Sequence, residues 1–114
     1  MCSETVFDPT LLGSGQPPAA TNLVLVVAST QFAYYVNLII SNTSSELVDS
    51  ATVAIIPAGV SLNPDCYIAY EIPIQPNLLT VLANIGLGPQ DQIVVKSQLG
   101  FLNFNATGNK FYNI

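Results

Sequence analysis

Residues 32–41 constrain this chain most, because their apolar side chains recur at every second position. Phe32, Tyr34, Val36, Leu38 and Ile40 fall on one side, against Ala33, Tyr35, Asn37, Ile39 and Ser41 on the other. That is the period of a half-buried β-strand. Wound as a helix, the same segment would leave Asn37 and Ser41 beside core residues. Other short apolar runs rich in Val, Ile, Tyr and Phe lie at 23–28, 51–56, 66–74, 78–84, 92–97 and 100–107, separated by Pro, Gly, Asn and Ser. The reading is seven strands at roughly dozen-residue spacing, which points to an antiparallel sandwich or barrel and away from a parallel sheet with crossover helices.

The fold class expected is therefore all-β, an immunoglobulin-like antiparallel β-sandwich of about seven strands. The chain has no Trp and only two cysteines, Cys2 and Cys66, so the usual landmarks of that fold, a buried Trp and a bridging cysteine pair, are missing. Strands 32–41 and 51–56, joined by the polar turn at 42–45, read as a hairpin. Pro73 marks strand 66–74 as an edge or an end, because proline cannot donate to a ladder. In that strand Cys66, Ile68, Tyr70, Ile72 and Ile74 are expected on one face and Glu71 on the other. Ile93, Val95, Leu102 and Phe104 are expected to point inward. Pro9, Gly13, Gly15, Pro17 and Pro18 argue against a regular element near the start. Residues 1–21 are read as an extended N-terminal arm anchored by Val6 and Phe7, and residues 22–114 as a single sandwich domain.

Charge sets the next limit. Seven acidic residues and two lysines, with no Arg and no His, give a net charge of -5, while half the residues are apolar. Soluble domains carry about 25% charged residues, and a set this sparse leaves much of the exterior for other protein to cover. The acidic balance removes the basic footprint that nucleic-acid binding needs. The most apolar stretch, 19–41, is broken by Thr21, Asn22, Ser29, Thr30, Gln31 and Asn37, so no transmembrane helix is expected. No secretory signal plan opens the chain, and the expected site of synthesis is a cytoplasm with free thiols. The sequons at Asn42 and Asn105 are read as chance occurrences in an Asn- and Thr-rich chain.

Without His, no side chain has an ordinary pKa near neutrality, and acid-base catalysis would need a strongly shifted carboxylate or thiol. Glu71 is placed by alternation on the exposed face, and Cys66, lacking a His partner, reads as a structural thiol. Asn63-Pro64-Asp65 offers oxygen ligands for a hard cation, but an Asx-type turn is the simpler reading. Tyr34, Tyr35, Tyr67, Tyr70 and Tyr112 could stack sugars as exposed aromatics do, but filling the core or an interface is the favoured reading for most of them. The chain is read as a non-enzyme with no cofactor and no metal.

The segments NLIISN at 37–42, YIAYEIPIQPN at 67–77, LGPQDQIVV at 87–95 and NFNATG at 103–108 together resemble a family of small β-sandwich virion proteins of tailed bacteriophages. The resemblance implies a structural component of the capsid surface, neck, tail or fibre, with other virion proteins as partners and the host bacterial cytoplasm as the site of synthesis. It carries no catalytic residues. The expectation that follows is a homo-oligomer, a trimer or another closed form, meeting its partners through Val6, Phe7, Tyr35, Ile39, Ile56, Val94 and Leu99. Edge strands without lysine protection suggest pairing between copies. The alternative is a receptor- or glycan-binding module on a fibre or cell surface.

Overall fold

The computed structural model describes residues 10–112. Eight strands follow one another: β1 (Thr10–Gly15), β2 (Thr21–Val27), β3 (Phe32–Asn42), β4 (Asp49–Ile56), β5 (Tyr67–Ile74), β6 (Leu79–Leu87), β7 (Gln92–Ser97) and β8 (Leu102–Tyr112). They form two antiparallel four-stranded sheets, sheet A in the order β1-β8-β3-β6 and sheet B in the order β2-β7-β4-β5. The all-β sandwich read from the sequence is present, with eight strands in place of about seven. Its connectivity is that of a jelly roll, not of the immunoglobulin fold. Strand β4 pairs with β5, β3 with β6, β2 with β7 and β1 with β8, as if one long hairpin had been rolled over on itself.

Alternation builds the core. On β3 the inward set Tyr34, Val36, Leu38 and Ile40 is buried, and it faces Ala51, Val53, Ile93 and Val95 of sheet B across a layer that includes Leu102, Phe104 and Ala106. Ile93, Val95, Leu102 and Phe104 thus point inward as expected. The long β3·β8 pairing runs without a break from Phe32↔Tyr112 to Asn42↔Leu102. Gly108 permits it, because a Cβ there would collide with the Tyr35 carbonyl.

The expected arm is corrected over Thr10–Gly15, which forms β1 and pairs with β8. The glycines that argue against structure are what let β1 fit: a Cβ on Gly13 would strike the Leu25 carbonyl, and one on Gly15 the Leu23 side chain. Glycine here marks close approach of the two sheets. The expected β3–β4 hairpin is also corrected, since the two strands lie in different sheets. Buried Asn42 fixes that crossing: its Nδ2 donates to the Leu47 and Ile74 carbonyls, 2.8 and 2.9 Å away, and its Oδ1 accepts from the Ser44 amide at 2.9 Å.

Each edge strand carries an extra residue that its neighbour lacks. The register slips between Leu11 and Gly13 on β1 and between Val24 and Val26 on β2. On β6, Leu82 to Ile85 spans the partners of Leu38 and Val36, and on β5, Ile72 to Ala69 and Ala69 to Tyr67 each gain one residue over β4. The interior pairs β3·β8 and β4·β7 have none. Bulges of this kind twist an edge away from further pairing. The four edge strands carry no lysine, as expected; what blunts them is backbone geometry instead of charge. The bulges on β5 also upset its simple alternation, so Ile68 and Tyr70 are exposed while Ala69 is buried.

Candidate functional site

The one fully buried carboxylate among the described residues is Asp49, at the start of β4. Its Oδ1 accepts from the amides of Ser50 and Leu99 at 2.7 and 2.8 Å, and its Oδ2 from Ser97 Oγ and the Phe101 amide at 2.6 and 3.0 Å. Ser97 Oγ in turn accepts from the Gly100 amide at 2.9 Å. Burial by itself would raise the carboxyl, but the hydrogen bonds from Ser97, Leu99, Phe101 and Ser50 outweigh it and hold Asp49 below the ordinary aspartate range. Both oxygens are committed to closing the β7–β8 turn. Asp49 has a structural task and no free face for a substrate.

At the opposite loops, Asn63 caps the 3-10 turn Pro64–Cys66, its side chain accepting from the Asp65 amide at 2.9 Å. The Asn63-Pro64-Asp65 motif is thus an Asx-type cap. Among the described residues no cluster of three or more His, Cys, Asp or Glu is placed to hold a metal ion. Next to this turn, Tyr67 and Tyr70 stand on the outside of β5 with ring centroids 5.1 Å apart and planes tilted by 55°. With Pro64 they line an open hollow of about 460 Å³.

The broadest feature is the outer face of sheet A. Register sets its side chains in rows across the strands: Leu79, Ser41 and Asn103; Val81, Ile39, Asn105 and Ser14; Asn37, Thr107 and Leu11; Gly86, Tyr35 and Asn109. None of these residues is charged. The polar members are amides and hydroxyls, and an apolar stripe of Tyr35, Ile39, Val81 and Leu79 runs along the β3–β6 side, with Tyr35, Val81 and Leu79 exposed by 56%, 50% and 60%. At the Tyr35 end lies a second hollow of about 380 Å³, lined by Ala33, Tyr34, Tyr35, Gly86, Leu87 and Gly88. Among the described residues the exposed carboxylates are elsewhere, Glu46 and Asp65 in loops and Glu71 on β5.

Of the residues expected at an interface, Tyr35 and Ile39 share this face, and Leu99 is exposed in the β7–β8 turn. Ile56 and Val94 are corrected. They point outward from sheet B as alternation requires, yet they are only 9% and 6% exposed, because the loop 57–66 folds over them and adds Leu62 and Cys66 to form a second small core. Val6 and Phe7 lie outside the described residues. Val81 and Leu79 escape the sequence reading as surface features, and Tyr67 and Tyr70, two of the five tyrosines it names for sugar stacking, are not placed together by it. The signal for the first two is the alternation of Leu79, Val81 and Ala83 on β6; for the juxtaposition of the tyrosines there is none, since the β5 bulges decide where they point. No family model matches the chain, and no curated protein matches it.

Proposed function

We propose that this protein is a non-enzymatic structural component of a tailed-phage virion, made in the host bacterial cytoplasm, that associates with copies of itself and docks on a capsid, neck or tail lattice. A decoration or cement role is the form favoured. The observation that carries the reading is the uncharged outer face of sheet A with its stripe of Tyr35, Ile39, Val81 and Leu79. Each copy carries a net charge of -5, so copies repel wherever their carboxylates meet. Among the described residues this face carries none, and burying the stripe removes apolar surface from water at about 25 cal/mol per Å². The bulged edges favour contact between faces over strand addition. The phage assignment is supported by the resemblance of segments 37–42, 67–77, 87–95 and 103–108 to small virion proteins, and by analogy at the level of fold, since jelly rolls recur in viral capsid proteins.

The test is mass spectrometry of density-banded particles produced by the genome that encodes this chain, with immunogold labelling to locate it. Many copies per particle are expected. Particles that band free of the protein would overturn the assignment.

A further inference from the structure

We propose that the shelf formed by Pro64, Tyr67 and Tyr70 binds an uncharged hexopyranose unit of a glycan. The inference does not depend on the association reading, because the shelf lies on β5 of sheet B, away from the outer face of sheet A. In a regular strand, residues three apart point to opposite faces. Here the extra residues of β5, relative to β4, bring Tyr67 and Tyr70 together on the outside, ring against ring at 5.1 Å. The arrangement is held under strain, since Glu71 adopts a left-handed backbone with φ of 50° and its amide is tied to Thr52 Oγ1 at 3.2 Å. The same bulges blunt the β5 edge and bury Ala69, while Tyr70 is left 61% exposed. Bulges re-aim side chains as well as end pairing, and what this one presents to solvent is a pair of tyrosine rings beside a hollow.

The base beneath the shelf is rigid. Cys66, Ile56, Ala54 and Val94 pack together with Leu62 under the loop that ends at Pro64 and Tyr67, so the aromatic pair is set in place before any ligand arrives. The chemistry selects the ligand class. Tyrosine faces stack on the C–H face of a pyranose, and the phenol hydroxyls donate to and accept from its hydroxyl groups. The lining residues Pro64, Tyr67 and Tyr70 are uncharged, so the shelf itself offers an anionic sugar no counter-charge; the exposed carboxylates Asp65 and Glu71 lie in the same segment, and Lys96 of β7 stands opposite Thr52 on this face of sheet B. The hollow of about 460 Å³ is open on its outer side, which suits one unit of a longer chain.

The test is NMR of the full chain with labelled tyrosine, titrated separately with methyl α-D-glucopyranoside, methyl β-D-galactopyranoside, N-acetylglucosamine and, as an anionic control, methyl glucuronide. At least one neutral sugar is expected to move the Tyr67 and Tyr70 ring resonances to saturation, with Tyr35 unmoved. Tyr70→Ala should weaken that binding by about tenfold, the size of one lost stacking contact, and Tyr70→Phe by less. Because Tyr70 is on the surface, both variants should melt close to the parent. No response of the two rings to any neutral sugar, equal binding by Tyr70→Ala, or tighter binding of the glucuronide would each overturn the proposal.

Discussion

Replacing Asp49 by Asn removes one negative charge from the middle of a closed hydrogen-bond set while keeping the side chain's shape. Asp49 accepts four hydrogen bonds, two on each oxygen. An asparagine oxygen still accepts from the Ser50 and Leu99 amides, but its NH₂ then faces the Phe101 amide, donor against donor. It also faces Ser97 Oγ, which already accepts from the Gly100 and Leu102 amides. Two hydrogen bonds to a charged group are lost, each worth about 1.5–3 kcal/mol, so the expected cost is about 4 kcal/mol, a large share of the roughly 5–15 kcal/mol that holds a domain together. The pH dependence follows from the sign of the shift. Asp49 titrates lower in the folded chain than in the unfolded one, so its stabilisation is fully present above the ordinary aspartate value of about 3.9 and is lost as the pH falls through the folded value. Denaturant titrations followed by circular dichroism at pH 7 and at successively lower pH measure the difference. The parent and the Asp49→Asn variant should differ by about 4 kcal/mol at pH 7, and the gap should narrow in acid, where the carboxyl is protonated. A gap under about 1 kcal/mol at neutral pH, the lower edge of one such bond, or one that stays constant into acid, would show that Asp49 does not hold the β7–β8 turn through its charge.

Other outcomes follow from the same structure. Phe104→Ala should cost about 4 kcal/mol in denaturant unfolding, since Phe104 is the largest fully buried side chain of the core; a loss below about 2 kcal/mol would mean that the two sheets collapse onto the space. Gly108→Ala should lower the melting temperature far more than Gly86→Ala, because only the first places a Cβ against backbone of the neighbouring strand. In a Cys2→Ser background, Cys66 should resist a thiol reagent until denaturant is added, given its place under the loop 57–66. Ile39→Glu should leave the melting curve nearly unchanged and reduce the scattering mass; an oligomer of unaltered mass counts against the sheet A face.

Strands with clean alternation are legible in the sequence, and β3 is the best example, because a one-residue error in its register would put Asn37 in the core. What escapes the sequence has a physical reason in each case. Strand β1 is hidden because Gly13 and Gly15 read as breakers, whereas they are the residues that let two backbones approach. The jelly-roll order escapes because strand positions alone do not say which sheet each strand joins, and the Asn42 hydrogen bonds that set the β3–β4 crossing reach to Ile74, a residue distant in the chain. Alternation assigns Ile56 and Val94 to the surface, but Ile93-Val94-Val95 is a continuous apolar run, which is what a strand covered on both faces looks like. Tyr35 and Ile39 can be found because β3 is regular. Tyr67 and Tyr70 can be named by residue type but not brought together, because bulges reset the count.

Whether the uncharged face of sheet A is covered by another copy of the chain is decided by sedimentation equilibrium of the purified protein over a wide concentration range. Masses that are multiples of 12.1 kDa are expected, falling toward a single chain when Val81 is replaced by Glu. A parent that sediments as a 12.1 kDa species throughout would contradict self-association through this face.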